Sequence, residues 1–179
     1  MKFVVRAVLG LSLVSLNPVF AAAAAPAAQA AAVDAAHVKA VQDLLGAMQI
    51  ENVLRGVAAR ARFSNPAQRD AVLAKVNRVP PAEVYQRLAP PLAKLISLDT
   101  ATEMTRFYNT PYGKKVIHDK YNSRGGIIMP GMVAAVPLEE KKERKRAAYV
   151  QASKELAAAE PAIEHEAFNL LQSINKEKR

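Results

Sequence analysis

Three histidines, His37, His118 and His165, are the residues best suited to holding a metal ion, and their spacing argues against it. A metal site draws several ligands together, commonly histidines in pairs. These three lie far apart, each alone on its own helical pattern. Glu164-His165-Glu166 puts attractive ligand types in a row, but adjacent residues on a helix point in different directions. Met129 and Met132 carry the thioethers of a soft copper site, yet no histidine or further methionine stands close in sequence, so apolar packing is the plainer role. Nucleophilic chemistry has no cysteine to use, and Ser64, Ser97, Ser123, Ser153 and Ser173 fall in cap, loop or helix positions rather than in a nucleophile elbow. Gly125-Gly126 lacks the pattern of a phosphate-cradling loop. The paired carboxylates of a hydrolase can come from anywhere in a chain, but the acids here mostly sit among bases at helix-surface spacing. The expectation is a protein that is not an enzyme and holds neither metal nor cofactor, with a hydrolase the least favoured alternative.

What remains is a segment of aromatic and basic residues, Phe107-Tyr108-Asn109-Thr110-Pro111-Tyr112-Gly113-Lys114-Lys115. Thr110 is a good helix N-cap and Pro111 a good first helical residue, so two helices should meet here at a tight corner. Gly113 would let another backbone or a ring lie close, and Phe107 and Tyr108 would bury large areas against neighbouring helices. As a functional element the corner has no acid–base constellation; it offers a basic, aromatic patch made by Tyr112, Lys114 and Lys115.

The rest of the chain must position that corner, and its apolar residues recur at helical spacing throughout. Val38, Val41, Leu45 and Met48 form one stripe, which shifts phase near Gln49 to Ile50, Val53, Leu54 and Val57: a wide buried face or a bend. Gly46 and Gly56 on this helix suggest a close neighbour. Ser64-Asn65-Pro66 stops and restarts the chain before a helix carrying Val72 and Val76. Pro80-Pro81 opens the next, in which Pro90 and Pro91 require a kink or two short pieces. Asp99 or Thr100 is the expected cap of the helix that leads to Phe107, with Glu103 placed for a capping box. From Leu138 a long helix begins with Glu139-Glu140-Lys141-Lys142-Glu143-Arg144-Lys145-Arg146, acids before bases as the helix dipole prefers, with Glu140 in reach of Arg144. That run reads as a solvated face or as a docking patch for an anionic partner. Pro161 should restart a last helix. Between these, residues 123–137 hold two glycine sites and two prolines in an apolar setting; Ile127, Ile128, Met129 and Met132 either tuck into the core or expose a patch for a partner. The fold class is all-α: a single compact domain, a bundle of six to seven amphipathic helices over residues 34–179.

Lys2 and Arg6 followed by a short apolar run, Pro18 and small residues give the layout of a secretory signal peptide. Phe3 to Leu16 is too short, at ~1.5 Å per residue, to cross a ~30 Å hydrocarbon core. Cleavage fits after Ala21 or Ala30, which makes 1–21 the signal and 22–33 a flexible alanine-rich lead-in, and places the protein in the periplasm without a transmembrane anchor. Removing Lys2 and Arg6 from 25 basic residues leaves 23 against 16 acidic, a formal +7. The excess is spread over both halves rather than gathered on one face with interleaved aromatics, which argues against nucleic acid. It suits attraction to an anionic envelope surface.

Phe107, Tyr108, Thr110, Pro111, Gly113 and Lys115, with the acid-containing helix start at Asp99–Glu103, resemble the signature of an exported bacterial family known as domain of unknown function 2059. The resemblance covers residues 80–122. It departs in the acidic run, sparser here, and in the apolar stretch 123–137. It implies an all-helical exported protein and transfers no activity. The expected function is a non-enzymatic protein-interaction module of the bacterial envelope, bound to another envelope protein; the alternative is a binder of lipopolysaccharide or acidic glycan, and the least favoured an envelope hydrolase.

Overall fold

The structure is a computed structural model and describes residues 34–122 and 136–177. Eight helices pack there in one domain: α1 (Ala35–Ala47), α2 (Glu51–Arg60), α3 (Pro66–Arg78), α4 (Pro81–Leu92), α5 (Leu98–Tyr108), α6 (Pro111–Asn122), α7 (Leu138–Glu143) and α8 (Ala147–Lys176). The all-α single domain is as expected, and among the described residues there is no strand. No described helix is long and apolar enough to cross a membrane.

The spine is α8, about 45 Å long at ~1.5 Å per residue. Its buried stripe, Ala152, Leu156, Ala159, Ile163, Ala167 and Leu170, steps by three and four residues and packs on α2, α3, α4 and α5. Pro161 does not restart a helix, as its residue type suggested; it lies inside α8. Proline removes one hydrogen bond to the carbonyl four residues back, that of Ala157. Both Pro161 and Ala157 are exposed, so water can serve that carbonyl while the buried stripe continues underneath. The far end of α8 is held from outside: Lys75 of α3 donates to the carbonyls of Asn175 (2.8 Å) and Glu177 (2.9 Å). Arg87 of α4 donates to Ser173 Oγ at 2.8 Å and pairs with Glu177 at 2.7 Å.

The phase shift near Gln49 is a complete break between α1 and α2. Ile50 N–H donates to Leu45 O (3.1 Å) and Gln49 N–H to Gly46 O (3.0 Å), the paired bonds of a Schellman cap. Gln49 sits at φ 51°, the left-handed position usually given to glycine, and Ile50 and Leu45 are both fully buried beneath it. This break raises the helix count above the six to seven expected. Gly46 lies against the Tyr85 ring of α4, a Cβ there falling 3.4 Å from it, whereas the nearest atom to a Cβ at Gly56 belongs to Arg60 of its own helix. Pro90 and Pro91 fall in the last turn of α4, which tightens into a turn ending at Ile96 instead of kinking mid-helix.

The cap of α5 is Ser97, not Asp99 or Thr100. Ser97 Oγ accepts from Thr100 N–H at 3.2 Å. The expected Glu103 does not close the capping box; Glu155 of α8 does so from across the domain. It accepts from Ser97 N–H (2.6 Å), Ser97 Oγ (3.1 Å) and Thr100 Oγ1 (2.9 Å), which explains how the Thr100 hydroxyl can be buried at 2 % exposure. Burial pushes the Glu155 carboxyl up, and the three donors, the Ser97 backbone first, outweigh it and hold the pKa below the usual carboxylate value.

Candidate functional site

The Phe107–Lys115 segment forms the tight α5–α6 corner. Asn109 ends α5, and Thr110 bridges the two helices: its hydroxyl donates to Phe107 O (2.7 Å) and accepts from Gly113 N–H (3.0 Å). Pro111 opens α6 as its first residue, where a missing N–H costs nothing. Gly113 is buried against the preceding helix. A Cβ built there falls 2.0 Å from Phe107 O and 2.6 Å from Tyr108 Cα, so no side chain fits this fold of the backbone. Thr110, Pro111 and Gly113 are thus the parts of a hinge locked by sterics and one hydroxyl.

Phe107 (2 % exposed) is the hub of an aromatic cluster. Its ring packs on Tyr108 (5.4 Å between centroids, 62° between planes), Tyr112 (6.2 Å, 79°) and Tyr149 of α8 (4.6 Å, 55°). The first two are edge-to-face and the third is tilted; aromatic pairs of this kind contribute about 0.5–1.5 kcal/mol each beyond their buried area. On the outer side, the Arg144 guanidinium lies 5.3 Å from the Tyr112 centroid, so it stacks on the corner rather than pairing with Glu140. Lys114 and Lys115 are exposed on the first turns of α6, and Lys115 pairs with Asp119 one turn on at 2.7 Å.

The charge run after Leu138 is neither one long helix nor a purely solvated face. It breaks after Glu143 into α7 and α8. Arg146 bonds both Glu103 (2.9 Å) and Glu143 (2.6 Å), while Arg106 bonds Glu103 (2.7 Å) and also Glu143. The break lets Arg144, Arg146 and Glu143 turn back onto α5 and α6, and it brings Tyr149 to Phe107.

Behind the corner is a half-open cleft of about 170 Å³ between the end of α1, α5, α6 and α8. Met48, Met104, Leu156 and Ile163 make its apolar lining, and Tyr108, Tyr149 and Ser153 its polar one. At its edge Lys120 of α6 bonds Glu160 of α8 at 2.7 Å. Burial, then the neighbouring Tyr149 and Glu160, pushes the Tyr108 hydroxyl up to about 12. Tyr121 is likewise raised to about 12 by burial and by Glu51 and Glu160, and among the described residues its hydroxyl has no hydrogen-bond partner. Tyr85 donates to Glu51 at 2.6 Å, and burial together with that bond raises it further. Three of the five tyrosines pack on Phe107, and the other two, Tyr85 and Tyr121, share Glu51 as a neighbour.

Of the residues singled out in the sequence, the structure joins Phe107, Tyr108, Tyr112, Thr110 and Gly113 in one corner. It leaves Lys114 and Lys115 on the outer surface. Ile127, Ile128, Met129 and Met132 lie outside the described residues. The histidines stay apart: His37 Nε2 is 2.7 Å from Ile96 O, His118 is beside Asp119, and His165 lies exposed on α8. Among the described residues no three ligand-type side chains gather as a metal site. Neither the cleft beside the corner nor the shallow groove between α2 and α8 brings two carboxylates together: Glu160 lines the first and Glu164 the second. Tyr149, Lys120 and Glu160 had no motif to announce them. Their only signal is residue type on a helix face, which does not say what that face will meet. No family model matches this chain, and neither a curated protein nor a solved structure matches it.

Proposed function

We propose that this chain is a non-enzymatic protein-interaction module of the bacterial envelope, exported to the periplasm and related to the helical family its Phe107–Lys115 segment resembles. The observation that carries this reading is the outer side of the corner. Tyr112, stacked under Arg144, stands beside the exposed Lys114 and Lys115 on a backbone that Gly113 and Thr110 hold rigid. A rigid aromatic and basic surface of this kind suits the acidic surface of a partner protein, since aromatic and arginine side chains dominate binding energy at protein interfaces. The candidate acid–base groups nearby have structural partners: Glu155 caps α5, while Glu103 and Glu143 tie α5 to α7. Affinity capture from an envelope extract tests this with three proteins: wild type, Tyr112→Ala/Lys114→Glu, and a version with Ile127–Val133 replaced by a Gly/Ser linker. The corner variant should lose the partner. An identical partner set for all three refutes the proposal.

A second reading, binding to lipopolysaccharide or acidic glycan, is favoured by the formal +7 that remains after residue 21 and by exposed Arg62 and Arg69 beside the α2–α3 turn. Such binding should fall steeply with salt. Its absence from a co-sedimentation assay at low ionic strength rules it out.

A further inference from the structure

The cleft behind the corner is a different feature from the outer patch, and its chemistry is specific. It holds an apolar lining, two tyrosines, and an oppositely charged pair side by side. We propose that it is a binding site for a small zwitterionic amphiphile of the class of a free apolar α-amino acid.

Size comes first. The cleft encloses about 170 Å³, close to the ~150 Å³ of a buried apolar cavity that holds a single benzene. Met48, Met104, Leu156 and Ile163 therefore leave room for one side chain of leucine, methionine or phenylalanine size.

Charge then selects the head group. Lys120 and Glu160 line the same cleft, 2.7 Å apart. A lone anion there meets the Glu160 carboxylate, and a lone cation meets the Lys120 ammonium. A wholly apolar molecule leaves the pair closed and draws on neither charge. A zwitterion satisfies both, its ammonium on Glu160 and its carboxylate on Lys120. Opening the existing pair costs little, because both side chains are about half exposed (44 % and 57 %), and exposed pairs are worth little in water. Tyr108 and Tyr149 line the same cleft and add polar groups beside the charged pair. This site would give an envelope protein a small-molecule input beside the corner that carries its outer surface.

Isothermal titration of the protein beginning at residue 22 with leucine tests the proposal, alongside glycine, 3-methylbutylamine and 4-methylpentanoate. Leucine should bind. Glycine, which lacks the apolar part, and the two singly charged analogues should each bind at least about tenfold more weakly. Lys120→Met and Glu160→Gln, both at exposed positions, should each weaken leucine about tenfold without altering the thermal melt. No heat with leucine, methionine or phenylalanine overturns the proposal. So does equal binding of leucine and its amine and carboxylate analogues, a result the wild-type protein alone delivers.

Discussion

Replacing Gly113 by alanine separates local helix preference from tertiary constraint, because the two predict opposite signs. Gly113 lies in the first turn of α6, and by helix propensity alone an alanine there stabilises by about 1 kcal/mol. In the folded chain, however, the new Cβ meets Phe107 O at 2.0 Å and Phe107 C at 2.8 Å, backbone atoms that cannot rotate away. The shortest contact is roughly 1.4 Å inside ordinary van der Waals distance, so α5 and α6 must move apart. That motion stretches the 3.0 Å Gly113–Thr110 cap, worth about 1 kcal/mol, and loosens the packing of Phe107 on Tyr112 and Tyr149 by a similar amount per pair. The net loss expected is about 2–4 kcal/mol, within the range of overpacked core positions. At roughly 2–4 °C per kcal/mol for a domain of this size, Tm should fall by about 10 °C. Gly56→Ala is the internal control. Its nearest neighbour is the flexible end of Arg60 at 3.4 Å, so alanine should stabilise there by up to about 1 kcal/mol. Thermal and urea unfolding followed by far-ultraviolet circular dichroism reads both. If Gly113→Ala matches Gly56→Ala in sign, the account of the corner as sterically locked is wrong.

The α1–α2 break makes a prediction of the opposite kind. Gln49 holds φ 51° without a glycine's freedom, so Gln49→Gly should stabilise by about 1 kcal/mol in urea unfolding, and a loss of stability would mean the side chain has a role the backbone geometry hides. Glu155 gives a pH dependence. Its folded-state pKa is lowered, so its contribution is fully present above the ordinary carboxylate pKa of 4.5 and is lost as pH falls below it. The Tm gap between wild type and Glu155→Gln should therefore be largest near neutral pH and shrink on acidification below about pH 4.5. A gap that stays constant down to pH 3 contradicts the three-donor cap.

Much of the fold was legible because helix formation is a local matter. Asn65-Pro66 and Thr110-Pro111 mark starts that the structure keeps, since cap and first-turn geometry depend on residues within one turn. The errors occurred where a distant residue overrode the local preference. Ser97 became the cap of α5 because Glu155, 58 residues away, accepts its N–H. Pro161 stayed inside α8 because the stripe on either side of it buries against the same neighbours. The run 139–146 broke because Glu143 and Arg146 found Glu103 and Arg106, and Arg144 found Tyr112.

By itself, then, the sequence determined an all-α domain, the capped α5–α6 corner, and the small residue that such a corner requires. Tertiary structure alone decided what the corner faces. Tyr149 reaches Phe107 across 42 positions, and Lys120 reaches Glu160 across 40. Periodicity says which face of a helix is buried, but not which other helix will cover it. The cleft exists only because α1, α5, α6 and α8 arrive at one place, and that convergence is a property of packing that no single stretch of the chain carries.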